Sequence, residues 1–449
     1  MKSTQRPTWK KARLAAAAVA AMLLAPSASV SASVSASVSA LAGVAGATVF
    51  TPAPCPAPVA SIADCHSARD GNGAWLLVAM PRQWNQRLVV HAHGGPRLTA
   101  PKADDPGEDL ERFAVMVREG YAWIGSTYRR GGYGVRMAAE DVDNSRRIFW
   151  AKWGRPQRTL LHGQSWGGNV ATKAAELYAL DAQGRANYDA VLTTNGLLFG
   201  GTRGYGFRAD LRAVYQYYCR NHPAAGEVQY PLWQGLPAGT RMTRAALRQR
   251  VDTCLGLESP AGKRTPQQAS RLRDVLAVTG IAEAQLVSHL AWATFHFQDV
   301  VQLRLGGHNP FDNMKTVYRG SRDDVALNAG VERFAADPDA VARLAYDADL
   351  SGLIVLPTLT VHALHDPIVS FEAEAAYAAT VRAAGRSALL AQLATDENEH
   401  SRLSDATYLG ALKALERWLD SGVRPETESV QAACLTTAAA PAECRFTRP

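Results

Sequence analysis

The sequence predicts an α/β protein with a mostly parallel central sheet flanked by helices. Three observations carry that expectation. Short apolar runs recur with helix-patterned stretches between them, the rhythm of strands joined by crossover helices. One such run, Arg158-Thr-Leu-Leu-His162, leads into Gly163-Gln-Ser-Trp-Gly167, and a helix-forming run leaves that turn. The alternation stops between residues 200 and 349 and then resumes, which marks an inserted segment.

The amino-terminal stretch stands apart from this pattern. Lys2, Arg6, Lys10, Lys11 and Arg13 precede the apolar run from Leu14 to Ala25, and a Ser-Ala-Ser-Val repeat follows from Ser27 to Ala40. A basic segment before about a dozen apolar residues reads as a secretory signal peptide, too short to span a bilayer. Residues 1–47 are therefore expected to be a signal peptide and a low-complexity tract, and the protein to be secreted or periplasmic. No twin arginine is present, which favours the ordinary export route. Five positive charges of the net +7 lie in this stretch, which holds no acid. The remainder is close to neutral, so it carries no electrostatic footprint for nucleic acid. No later apolar run is long and uncharged enough for a membrane span.

Strands are expected at residues 74–79, 87–92, 121–125, 159–162, 190–193, 358–362 and 388–393. Helices are expected over 107–119, 137–153, 168–180, 371–384 and 404–419. In the last helix Leu409, Leu412, Leu415 and Leu419 fall near helical spacing and would face the sheet. The core thus divides into 48–199 and 350–420, around a largely helical cap at 200–349. A structureless loop of that length would be implausible in a compact domain. Residues 421–449 form a polar, proline-bearing tail. The six cysteines fall into sequence-local pairs, Cys55 with Cys65, Cys219 with Cys254 and Cys434 with Cys444. Many pairings are possible in principle; nearest-neighbour disulfides are the expectation for an exported chain.

The chemistry centres on Ser165. A serine in a Gly-x-Ser-x-Gly turn between strand and helix is held with its hydroxyl exposed, and the flanking glycines leave room for the helix against the strand. A serine hydroxyl is a weak nucleophile and needs a base, itself oriented by a carboxylate. Hydrolases of this architecture run in the order serine, acid, histidine. Asp366 follows the strand at 358–362 at the mouth of a loop, and Pro367 restricts it to extended conformations. His400, in the loop after the last strand, is the only histidine beyond Asp366. Asp396, Glu397 and Glu399 share the base's loop and are expected to be solvated. Asn195-Gly196, after an earlier strand where some hydrolases carry the acid, cannot serve. The oxyanion needs preplaced N–H donors. Trp166 follows the nucleophile, and Gly95 is the favoured second donor in His91-Ala-His93-Gly-Gly-Pro96, because Pro96 has no N–H. His91 and His93 have the spacing of a strand-face metal pair but no third ligand at metal-site spacing. No metal is expected.

On His93-Gly-Gly-Pro96, Gly163-Gln-Ser-Trp-Gly167, His365-Asp366-Pro367 and His400, the chain resembles the α/β-hydrolase superfamily from about residue 74 to 420. The resemblance implies a serine hydrolase that needs no cofactor. His-Gly-Gly-Pro with Gly-x-Ser-Trp-Gly is also similar to the proline iminopeptidases, which place a cap at the same point. Arg97 departs from that subgroup, and no acidic motif for gripping an amine is visible. The stretch Pro81-Arg-Gln-Trp-Asn85 is loosely similar to secreted bacterial esterases. The expectation is a carboxylic ester hydrolase acting on a small-molecule or oligomeric ester. A proline-preferring aminopeptidase and a non-catalytic binding protein are the alternatives. Two further features are ambiguous. The arginines of Tyr128-Arg-Arg-Gly-Gly-Tyr-Gly134 either grip a substrate carboxylate or pair with local acids, the latter being favoured. Tyr215, Tyr217, Tyr218, Trp233, Trp292, Phe295 and Phe297 either line a pocket or form the core of the insertion, the core being favoured.

Overall fold

The computed structural model describes residues 48–437 and 439–449; the expected signal peptide and Ser-Ala-Ser-Val tract lie outside the described residues. Ten strands form one sheet: β1 (Thr51–Ala53), β2 (Ala63–Arg69), β3 (Trp75–Pro81), β4 (Arg87–Ala92), β5 (Ala122–Ser126), β6 (Arg158–Gln164), β7 (Ala190–Thr194), β8 (Thr358–Ala363), β9 (Leu390–Thr395) and β10 (Phe446–Thr447). Their order is β1-β2-β3-β5-β4-β6-β7-β8-β9-β10. The block from β5 to β9 is parallel, and β1, β2, β3 and β10 pair antiparallel with their neighbours. This is the α/β-hydrolase architecture expected from the sequence. β5, β7 and β8 are buried along their whole length. That is why they read as unbroken apolar runs: helices cover both faces of a parallel sheet.

One face carries the helices Val135–Trp153, Trp166–Tyr178 and Glu372–Ala383, the other Asp105–Arg112, Ala114–Arg118 and Asp405–Ser421. In the last of these Leu412 and Leu415 are buried as expected, whereas Leu409 and Leu419 are only half-buried. Tyr408, Ala411 and Trp418 complete the buried stripe instead. The helix expected at 107–119 is two short helices meeting at Phe113.

Three strands were not legible in the sequence. β2, Ala-Asp-Cys-His-Ser-Ala-Arg, is polar because it lies near the sheet edge, with only Ala63, Cys65 and Ala68 buried. β1 and β10 are too short to show a period. The reading of 421–449 as a tail needs correction. It contains the helix Thr427–Thr437 and the strand β10, whose Phe446 sits opposite Thr395 of β9. Val430, Cys434, Cys444 and Phe446 are buried, so this segment closes the sheet edge.

Order reversal between β5, β4 and β6 creates the switch point at which α/β sheets keep their ligand crevice. Ala92 of β4 lies opposite Gly163 of β6, which sets the loop after β4 beside the turn after β6. Ala363 lies opposite Thr395, so the loops after β8 and β9 also leave the sheet together.

Between β7 and β8 the chain builds helices, from Gly200–Gly204 and Gly206–Cys219 to Pro338–Ala348. The two ends of this insertion are joined to each other. Asp349 accepts hydrogen bonds from the backbone N–H of Gly201 (2.8 Å) and Thr202 (2.9 Å). Asp347 caps the core helix at Val135 (2.9 Å) and Arg136 (3.1 Å). A carboxylate on unpaired N–H groups of a helix start is favourable for both hydrogen bonding and the helix dipole.

All three expected disulfides are present: Cys55–Cys65, Cys219–Cys254 and Cys434–Cys444. Cys219–Cys254 joins the helices Gly206–Cys219 and Arg244–Leu255 across a separation of 35 residues. Removing it with Cys219→Ser and Cys254→Ser together is expected to destabilise the protein by about 4 kcal/mol in the chain-entropy model. Denaturant melts of the double variant check this. An unchanged midpoint would mean that the bridge contributes nothing.

Candidate active site

Ser165 sits between β6 and the helix Trp166–Tyr178 at φ 58°, ψ −125°, a conformation a residue with a β-carbon rarely adopts. The turn is held by hydrogen bonds from Ser165 N–H to the Thr194 carbonyl (3.1 Å) and from Leu197 N–H to the Ser165 carbonyl (2.8 Å). A β-carbon at Gly163 would come within 2.1 Å of the Gly167 carbonyl oxygen. One at Gly167 would come within 2.1 Å of the Ala92 carbonyl oxygen, so neither position admits a side chain.

The three residues predicted from the sequence meet here. His400 Nε2 is 2.7 Å from Ser165 Oγ. His400 Nδ1 is 2.9 and 2.8 Å from the two oxygens of Asp366. The Asp366 carboxylate is fully buried and also accepts from the N–H groups of Ile368 (2.7 Å) and Val369 (3.0 Å). Because Pro367 carries no N–H, those two are the next donors along the loop.

Behind Asp366 lies a group the sequence reading missed. His362, fully buried on β8, points Nε2 at the Val369 carbonyl (3.0 Å) and at Asp366 (3.5 Å), and Nδ1 at Glu374 (3.1 Å). Every neighbour of both ring nitrogens is an acceptor, which calls for an imidazolium. Burial alone would lower its pKa, but the hydrogen bonds to Asp366 and Glu374 and their charges raise it to about 9. Burial would likewise raise Asp366, yet the hydrogen bonds from His362 and His400 bring it to about 2. Asp366 is thus held ionised by a buried cation, itself backed by Glu374. Gln392 Nε2 (2.6 Å) and the Thr360 hydroxyl donate to the other oxygen of Glu374. Only the spacing of His362 to Asp366 hinted at this, and a histidine inside a strand reads first as core.

Asn195 was set aside as unable to act as an acid, and it has a different task. It stands in a left-handed conformation (φ 46°) at the end of β7. Its amide donates to the carbonyls of Glu399 (2.8 Å) and His400 (2.9 Å) and accepts from Ala363 N–H (2.8 Å). Gln164 Nε2 also donates to the His400 carbonyl (2.8 Å). The main chain at His400 is therefore pinned to the ends of β6, β7 and β8. The expectation that Glu397 is solvated is wrong. It is buried, accepting from Ser404 N–H (2.8 Å) and the Thr407 hydroxyl (2.8 Å), where it anchors the start of the final helix.

Gly95 and Trp166 both line the cavity that Ser165 and His400 open into, a space of about 340 Å³. Neither backbone N–H donates to another group among the described residues. Gly95 has φ 70°, a left-handed conformation that suits glycine. The His91 and His93 side chains part company. His91 turns into the core against His162 (2.9 Å between Nδ1 atoms), while His93 stacks on Tyr128 at 4.2 Å. Arg129 pairs with Glu140 (3.0 Å) and Asp141, the local pairing favoured above. Of the aromatics singled out in the insertion, only Trp292 reaches this cavity, joined by Tyr205; Tyr215 and Phe297 are core. Among the described residues no aspartate or glutamate side chain lines the cavity, and Arg112 and Arg208 do.

The chain matches no protein-family model and no curated protein sequence. Among solved structures it is similar to lipase A of Candida antarctica, with a TM-score of 0.46 and 12% identity over 85% of this chain and 84% of that one. It is also similar to an esterase from Aspergillus oryzae, with a TM-score of 0.41 and 13% identity over 81% of each chain. A third is the rice cell wall degrading esterase LipA from Xanthomonas oryzae, with a TM-score of 0.40 and 14% identity over 83% of this chain and 95% of that one.

Two expectations follow from the geometry. The folded pKa of His362, about 9, exceeds the ordinary value of 6.5. Its ion pairs therefore stabilise the fold fully below pH 6.5, and that contribution, on the order of 3 kcal/mol, fades as pH rises through 9. Denaturation midpoints of the wild type and of His362→Asn should converge over that range; parallel curves would contradict a buried imidazolium. Asn195→Asp should turn two attractive contacts into repulsion against the Glu399 and His400 carbonyls. Turnover should fall by about 10-fold or more as the base shifts; unchanged turnover would remove Asn195 from the positioning of the base.

Proposed function

We propose that the protein is an exported serine hydrolase that cleaves carboxylic esters through an acyl-enzyme. One observation carries the reading. Ser165, His400 and Asp366 form a continuous hydrogen-bonded path, and it ends at a cavity where two backbone N–H groups remain unspent. Ser165 Oγ attacks the ester carbonyl as His400 Nε2 takes its proton, and Asp366 holds the ring through Nδ1–H and offsets the charge that forms on it. The N–H groups of Gly95 and Trp166 receive the oxyanion. His400 then returns the proton to the departing alcohol, and a water activated by the same histidine releases the acid. Export is supported by the signal-like amino terminus and by three disulfides, which persist in oxidising compartments.

The aminopeptidase alternative needs buried carboxylates to hold an ammonium, since an unpaired buried charge is costly. The cavity offers two guanidinium groups and no carboxylate, the opposite polarity.

Ser165→Ala and His400→Ala should each lower turnover by roughly 10⁴-fold or more, and Asp366→Asn by about 10²- to 10⁴-fold, with the fold intact by circular dichroism. A fluorophosphonate should label Ser165 stoichiometrically in the wild type. Failure of that labelling would leave a binding protein on a hydrolase fold. Against a panel, kcat/KM for an aryl or short-chain ester should exceed that for a proline arylamide at least about tenfold, because the arylamide's ammonium would meet guanidinium groups. The reverse order would restore the aminopeptidase.

A further inference from the structure

Arg208 is the most unusual charged group near the cavity. It lies on the helix Gly206–Cys219, is 2% exposed, and lines the same cavity as Ser165. Among the described residues it makes no salt bridge. Its Nε donates to His289 Nδ1 (3.2 Å) and Nη1 to the Gly204 carbonyl (3.2 Å), both neutral acceptors, and Nη2 donates to nothing. Burial depresses His289 to a pKa of about 3, so it brings no charge of its own. The guanidinium carbon lies 4.5 Å from the Phe207 ring centre, 5.0 Å from that of Trp292 and 5.6 Å from that of Tyr205. Burial lowers Arg208 to about 10, which still leaves it a cation at neutral pH.

Aromatic faces attract a cation but do not neutralise it, and a buried charge without a counter-ion is unfavourable. Several buried charges in this protein are paired: Arg146 with Asp143 at 2.9 Å, Asp299 with Arg304 at 2.8 Å, Asp274 with Arg322 at 2.9 Å. Arg212, one turn along from Arg208, is also buried without a carboxylate, but it binds the Tyr230 hydroxyl (3.2 Å) and does not line the catalytic cavity. Among the described residues Arg208 alone combines a missing counter-ion, an undonated Nη2 and a place in the wall of the cavity that Ser165 lines. A second guanidinium in that wall, Arg112, is held by Asp109 (3.3 Å). A planar fork of donors suits a carboxylate.

We propose that Arg208 receives a carboxylate carried by the substrate, so that the preferred substrates are esters bearing a free carboxylate rather than neutral esters. This rests on Ser165 being the nucleophile of an ester hydrolase. The carboxylate could belong to the acyl part, as in a half-ester of a dicarboxylic acid, or to the alcohol part, as in an ester of a hydroxy acid. The chemistry at Arg208 is the same.

The test uses the mature protein and two matched pairs: 4-nitrophenyl hydrogen adipate against methyl 4-nitrophenyl adipate, and 3-acetoxybenzoate against its methyl ester, with background hydrolysis subtracted. In at least one pair the anion should have the higher kcat/KM, by about tenfold or more. The pair that shows it tells which side of the ester carries the charge. In Arg208→Met the ratio should fall to about one, and Arg208→Lys should restore part of it. Wild-type enzyme that prefers the neutral member of both pairs overturns the proposal, whether or not the variants fold. So does an anion preference that survives in folded Arg208→Met. Either result would leave the serine hydrolase reading standing, because fluorophosphonate labelling and neutral-ester turnover persist. Absence of labelling and of all turnover would overturn both.

Discussion

Direct contact between backbones around Ser165 is the constraint on which the rest of the site depends. Four segments converge there: the end of β4, the turn after β6, the first turn of the following helix and the loop after β7. Added β-carbons at Gly163, Gly167 and Gly168 would lie 2.1 Å from the Gly167 carbonyl, 2.1 Å from the Ala92 carbonyl and 2.7 Å from the Gly196 Cα. A methyl group at any of these positions would push apart the loops that carry the serine and the N–H groups of Gly95 and Trp166. Electrostatic stabilisation of an oxyanion works only when donors stand in place before charge develops. The glycines therefore fix the distance between the Ser165 hydroxyl and the N–H groups of Gly95 and Trp166, and the positive φ of Ser165 is the strain that this close packing sustains.

The electrostatics of the site divide along the same line. Behind His400 the buried polar groups are all partnered: Asp366 and Glu374 flank the His362 ring, and Thr360 and Gln392 donate to the remaining oxygen of Glu374. A fully hydrogen-bonded buried network is rigid, because moving any member strands another. Asp366 is thus fixed both by its loop N–H donors and by the cation behind it. In the cavity wall the charge of Arg208 has no carboxylate partner among the described residues. One set of buried charges holds the machinery still; the other is left for an incoming group.

The fold and the meeting of Ser165, Asp366 and His400 were legible because each element carries its own local signal. A strand buried on both faces is an apolar run, the turn at Ser165 has its glycines two positions either side, and the chain order of serine, acid and histidine leaves His400 as the one histidine to consider. What was not legible depends on distant partners. Asn195 could be dismissed as an acid from its identity alone. Its hold on the Glu399 and His400 carbonyls is a contact across about 200 residues, created by the order of β7, β8 and β9. Glu397 read as a loop acid and is instead the anchor of the final helix, because Ser404 and Thr407 fold back onto it. Phe446 looked like part of a polar tail, yet two residues of strand suffice to close the edge beyond β9. The aromatic-rich insertion misled in a different way. Composition pointed at Trp292 equally with six other rings, and only packing separates the one that faces Ser165 from those that fill a core.

The site is accordingly built from two parts of the chain. Ser165, Gly95, Asp366 and His400 lie in turns and loops at the carboxyl edge of the sheet, where Trp166 opens a helix, whereas Tyr205, Arg208 and Trp292 come from the insertion between β7 and β8. For such a division to work, the insertion must be registered on the sheet as firmly as the triad is. Its polar anchors supply that. Asp349 clamps its two ends together, and Asp347 sits on the start of the core helix at Val135. Asp299 accepts from the Tyr133 backbone at 2.6 Å while paired with Arg304. Tyr133 in turn packs against both Trp166, at 5.9 Å, and Tyr205, at 5.7 Å. A run of ring contacts thus leads from the residue after the nucleophile, through Tyr133 and Tyr205, to Trp292, which stacks on Tyr205 at 5.3 Å. Arg208 lies against the last two of these rings, so its charge is placed relative to Ser165 by packing rather than by a counter-ion. A carboxylate partner would also have positioned it, but would have neutralised it. Rings hold the guanidinium in place and leave its charge available to the cavity.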